Sequence, residues 1–102
     1  MIGENSDLDY SELIVHLQIE KIIRYGTISS ELSDLDLLIV SNDFESMFMP
    51  KRLSVTKKYV KAKRKLDLIC LTSEEFEKLQ KKPNQFSVNI LIKGELLYER
   101  RV

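Results

Sequence analysis

Two apolar runs dominate the pattern of the chain, and acid opens both. Leu37-Leu38-Ile39-Val40 follows Asp34 and Asp36, and Leu68-Ile69-Cys70-Leu71 follows Asp67. Unbroken apolar runs of this length predict buried strands, over 34–41, covered on both faces, and over 65–71. Residues 20–25 predict another strand, halted by Gly26, and 95–99 a short edge strand after Gly94. Elsewhere the period lengthens to that of helices. Leu13, Ile14 and Leu17 predict a short helix over 9–18, with Asp9 as N-cap and Glu12 three residues on. Leu53, Thr56 and Val60 form the inward stripe of a basic helix over 51–63. Thr72 and Glu75 make a Thr-x-x-Glu capping box for a helix from 72 to 81, ended by Pro83. Phe86, Ile90 and Leu91 face inward in a final helix over 84–92.

Residues 26–33 read as a loop or a single helical turn, and 42–50 as a loop. The sum is an α/β (α+β) domain with a small mixed β-sheet of three main strands flanked by helices. The helix within 42–64 makes the connection between the two apolar strands a parallel, right-handed crossover.

The chain has 102 residues, which on length is a single domain over 1–102. With 43% hydrophobic and 31% charged residues it is globular in composition, not disordered. No apolar run approaches the ~18 residues of a membrane span. The acidic start, Met1 to Asp7, is expected not to act as a signal peptide, so a cytoplasmic location is expected. The one cysteine, Cys70, excludes an intrachain disulfide or a cysteine zinc site, and reads as a core thiol. The one histidine, His16, excludes His-rich metal chemistry and reads as solvated. Chemistry must rest on carboxylates, hydroxyls, lysine and arginine.

Net charge is zero but segregated. Residues 1–45 carry ten acids against Lys21 and Arg24, whereas 46–65 carry eight bases and no acid. Such blocks fit a metal-binding edge beside a phosphate-binding surface. The basic helix reads first as a solvated face, with nucleotide phosphate, tRNA or an acidic partner as alternatives. Met47, Phe48 and Met49 either form a partner-binding patch or tuck under the sheet. The tyrosines match no RNA-binding pattern, so nucleic acid is not indicated.

Asp34 and Asp36 are the sharpest chemical feature. Two residues apart on a strand, they share a face roughly 6.6–6.8 Å apart, while Leu35 points away. Hard carboxylate oxygens so arranged suit Mg²⁺ or Mn²⁺. Asp67 interrupts a strand expected to be buried, which is costly without a partner charge or metal. Parallel strands would bring it to the edge that carries Asp34 and Asp36. Gly26 allows close backbone approach, and Thr27, Ser29 and Ser30 offer hydroxyls and N–H groups for phosphate oxygens. Aspartyl-phosphate phosphohydrolases are excluded, because there the apolar run precedes the Asp-x-Asp. A second Ser-Asp-Leu-Asp, residues 6–9, lacks a following apolar strand and reads as the approach to the first helix.

Tyr25-Gly26-Thr27, then Ser33-Asp34-Leu35-Asp36-Leu37-Leu38-Ile39-Val40, then Lys65-Leu66-Asp67-Leu68-Ile69-Cys70-Leu71, together with the tail Lys93-Gly94-Glu95-Leu96-Leu97-Tyr98-Glu99, are spaced in a familiar way. Over roughly residues 10–99 the chain resembles the minimal nucleotidyltransferases of the DNA polymerase beta superfamily. The resemblance implies a nucleotidyltransferase fold and an enzyme that moves a nucleoside monophosphate from an NTP, ATP above all, to a hydroxyl. It implies Gly26 and Thr27 against the triphosphate, Asp34 and Asp36 on Mg²⁺, and Asp67 as third carboxylate or base. It also implies a homo-oligomer or a HEPN-domain protein as partner, in a toxin–antitoxin arrangement in which the partner itself is the acceptor. Two features depart from the family: Thr27 stands for the usual serine, and the connection from Thr27 to Asp34 is shorter than usual. These departures predict weak nucleotide affinity, and as the alternative a catalytically impaired binding module that complexes a HEPN-domain partner.

Overall fold

A computed structural model describes residues 8–25, 35–81 and 94–101. The elements in chain order are β1 (Leu8–Asp9), α1 (Ser11–His16), β2 (Ile19–Tyr25), β3 (Leu35–Ser41), a 3₁₀ turn (Asn42–Ser46), α2 (Met49–Tyr59), β4 (Lys61–Ala62), β5 (Leu66–Leu71), α3 (Ser73–Lys81) and β6 (Glu95–Glu99). A four-stranded sheet has the order β5-β3-β2-β6, so the three main strands are joined by the expected edge strand, β6. β3 and β5 are parallel, and β2 is antiparallel to both its neighbours. The result is a small mixed α/β fold. The expected final helix over 84–92 and the turn over 26–33 lie outside the described residues.

The unbroken apolar run of β3 is explained by its central place. Leu35, Leu37 and Ile39 point to one face with Ile22, Leu68 and Cys70, where Leu13 of α1 and Leu53 and Tyr59 of α2 pack. Leu38 and Val40 point to the other face with Ile23, Ile69 and Leu71, under Phe76 and Leu79 of α3. Helices on both faces leave no room for polar alternation in this strand.

Several boundaries differ from those expected, each for a local reason. α1 begins at Ser11, with Tyr10 at the N-cap position and no side-chain cap. Asp9 acts one residue upstream: its Oδ1 accepts from the Ser11 N–H at 2.9 Å and from Ser11 Oγ at 2.6 Å, an Asx-type turn. Leu8 and Asp9 are not simply a helix approach, for they pair antiparallel with Ala62 and Lys61. The same pairing shortens α2, because Val60 turns extended and buried so that Lys61 can join β1. The capping box of α3 is formed as expected: Thr72 Oγ1 accepts from the Glu75 N–H at 3.2 Å, and Glu75 Oε1 from the Thr72 N–H at 2.8 Å.

Candidate functional site

The parallel pairing of β3 with β5 sets Asp36 directly beside Asp67. The antiparallel pairing of β2 with β3 sets Tyr25 beside Asp36 on the other side. Register partners on adjacent strands share a face, with backbones about 4.8 Å apart. Tyr25, Asp36 and Asp67 therefore form one row across β2, β3 and β5. The ladder continues to this end, since the Leu35 N–H donates to the Lys65 carbonyl at 2.8 Å. Register here is held by backbone and not by side chains alone.

The row lies on the α3 face of the sheet. Phe76 and Leu79 cover the apolar positions next along β3 and β5. Asp36 is half-buried and Asp67 exposed. The expectation that Asp67 interrupts a buried strand is thus corrected: β5 is an edge strand, and its first turn of alternation on this face is open to solvent. The Tyr25 phenol is pushed well above the usual tyrosine range, first by burial, then by the charges of Asp36 and Asp67. It remains a neutral hydroxyl donor beside two carboxylates.

Two carboxylates on adjacent strands suit a cation that keeps part of its water shell, as Mg²⁺ does. Among the described residues no group of three or more His, Cys, Asp or Glu side chains converges to hold a metal. Asp34, Gly26, Thr27, Ser29 and Ser30 lie outside the described residues. Tyr25 is the residue that chemical reading of the sequence passed over; its signal is its place as the last residue of a strand, level with Asp36 across the sheet.

A second charged centre lies at the opposite end of β5. Arg52, in the run of basic residues, is only 7% exposed. Its Nε donates to the Met47 carbonyl at 2.9 Å, and one terminal nitrogen donates to the Cys70 carbonyl at 3.1 Å and to Glu75 Oε1 at 2.7 Å. Burial works to raise the Glu75 carboxyl, but the bonds from Arg52 and the Thr72 N–H outweigh it and hold the group below the usual range. The expectation of a wholly solvated basic face fails at this position, and Arg64 too is half-buried. Lys51, Lys57 and Lys58 are exposed.

The remaining candidates sort plainly. Cys70 is a buried thiol against Thr56, and burial pushes it up. His16 is half-exposed and stacks on Tyr59 at 4.2 Å between ring centres. Met47 tucks against the core, whereas Phe48 is 80% exposed and Met49 43%. Two grooves of about 480 and 420 Å³ lie at the far end of β3, the first around Asn42–Ser46 and the second between Leu17, Asp43 and Arg100, away from the carboxylate row. Among the described residues no helix is long and apolar enough to cross a membrane. The chain matches no protein-family model, no curated protein and no solved structure.

Proposed function

We propose that the row of Tyr25, Asp36 and Asp67 is the floor of a metal-dependent nucleotidyl-transfer site in a nucleotidyltransferase-type fold. The observation that supports this reading is the level pairing of Asp36 with Asp67 on parallel strands. Two carboxylates set side by side at one sheet edge offer hard oxygen ligands to a divalent cation. Asp36 and Asp67, with Asp34, would hold Mg²⁺ or Mn²⁺, which when bound stabilises charge on the attacking and leaving oxygens. Gly26, Thr27, Ser29 and Ser30 would receive the triphosphate of ATP.

In this reading Tyr25 donates its hydroxyl proton toward the carboxylates and restrains their orientation. Asp67, the exposed member, faces the incoming acceptor and takes the proton from its hydroxyl. The freed oxygen bonds to the α-phosphorus, the bond from that phosphorus to the bridging oxygen breaks, and pyrophosphate leaves with the electron pair. The acceptor is a hydroxyl on a separate molecule, a protein partner by preference. Incubation with ATP labelled at the α-phosphate, Mg²⁺ and candidate acceptors is the test. Transfer of label with release of pyrophosphate, lost in Asp36→Asn and in Asp67→Asn, is expected. Transfer that survives both substitutions would contradict the assignment.

A further inference from the structure

We infer that the outer side of α2 and the segment 61–65 bind nucleic acid through its phosphate backbone, without reading bases and independently of any nucleotidyl transfer. Residues 46–65 hold six lysines, two arginines and no acid, and the fold sorts the two types. Arg52 is buried on internal acceptors and Arg64 is half-buried. From 51 to 65 every exposed residue but Ser54 is a lysine: Lys51, Lys57, Lys58, Lys61, Lys63 and Lys65. Arg52 and Thr56 are buried, and Leu53 and Tyr59 pack against the core. Helical geometry thereby turns Lys51, Ser54, Lys57 and Lys58 to one side, with the Lys51 and Lys58 backbones about 10 Å apart. Beyond Val60 the chain is extended, and Lys61, Lys63 and Lys65 alternate with half-buried Ala62, Arg64 and Leu66.

Among the described residues none of these six lysines has an ion-pair partner. Lys78 and Lys81 of α3, by contrast, stand 3.7 and 3.4 Å from Glu74 and Glu77. Asp9 lies opposite Lys61 in the ladder, but its carboxylate already accepts two bonds from Ser11. The make-up of the exposed positions selects the occupant. Protein interfaces are built round an apolar or aromatic centre, favour arginine and are poor in lysine. A helix that lies on a membrane needs apolar side chains to enter the lipid. The exposed positions from 51 to 65 offer neither. Lysine is a point charge without a fixed fork, which suits an evenly charged, flexible phosphodiester chain. Nucleic-acid interfaces are accordingly polar and strongly positive. Contact with phosphates alone requires no aromatic platform.

The test is fluorescence anisotropy of a short labelled single-stranded RNA, and of DNA of the same sequence, titrated with the full chain. EDTA is present and nucleotide absent, so the carboxylate row takes no part. Both strands are expected to bind alike, with a Kd on the order of 10 μM at physiological salt. The log–log salt slope is expected to be about −3, from roughly four phosphates. Lys57→Glu combined with Lys58→Glu is expected to weaken binding about tenfold and to flatten that slope. Lys78→Glu combined with Lys81→Glu, the same change of net charge on α3, is expected to leave binding nearly unchanged. Circular dichroism and the thermal midpoint check that both variants fold. A chain that binds neither strand overturns the proposal, as does equal weakening by the two double variants. Polyglutamate or phosphatidylserine vesicles that compete as well as RNA would overturn it too, by pointing to an acidic protein or a membrane.

Discussion

The two ends of β5 use charge in opposite ways. At its C-terminal end Arg52 is buried, but its guanidinium meets two carbonyls and the Glu75 carboxylate, which is itself held by Thr72. Every buried charge there is answered within the chain, as burial demands. At the N-terminal end Asp67 stands level with Asp36, and the neutral phenol of Tyr25 completes the row. Two carboxylates are set side by side there. A charged cluster that completes itself explains folding. One that sets two carboxylates side by side at an edge is the basis of the metal site proposed above.

The largest expected effect lies at the self-contained end. Arg52→Ala should cost about 3 kcal/mol in urea unfolding, because it strands two carbonyls and a partly buried carboxylate. A cost near zero would mean that the network is incidental and the contrast between the ends is lost. At the other end the sign reverses. Asp36→Asn and Asp67→Asn should each raise metal-free stability by about 1 kcal/mol. The double variant should gain less than the sum, because either substitution relieves the same repulsion. Strict additivity would show that the two carboxylates do not sense each other.

The smallest effect concerns acid stability. The Glu75 carboxyl is held below its ordinary value near 4.5, so in the folded state it binds its proton less readily than in the unfolded chain. Its contribution is present above about 4.5 and is lost as pH falls through the lowered folded value. Glu75→Gln should therefore flatten the acid limb of the stability curve below that pH. With the side chain 42% exposed, solvent screening keeps the change to a few tenths of a kcal/mol. An acid limb unchanged by the substitution would place the acid sensitivity elsewhere.

What the sequence made legible was local or periodic. The Thr72–Glu75 box could be read because both partners lie within one turn. The apolar runs of β3 and β5 could be read because a strand covered on both faces cannot alternate. That Asp36 and Asp67 share an edge followed from a helical crossover between parallel strands, whereas their level register is a property of the ladder that no sequence pattern marks. Arg52 was hidden, because its burial depends on the Cys70 carbonyl and Glu75, far along the chain. Nothing in a run of lysines and arginines marks one member as inward. The β1–β4 pair was hidden too: two-residue strands have no period, and Asp9 looked like a helix cap. Asp67 was misjudged as buried because the sequence does not reveal that β5 lies at the sheet edge.

Calorimetric titration with Mn²⁺ probes the carboxylate row itself, without need of an acceptor or of turnover. The wild-type chain is expected to bind one ion per row. Asp36→Asn and Asp67→Asn are each expected to weaken that binding at least tenfold, about 1.4 kcal/mol, while both variants keep the far-ultraviolet spectrum of the wild type. Equal Mn²⁺ affinity in all three proteins would contradict the assignment of this edge as a metal site.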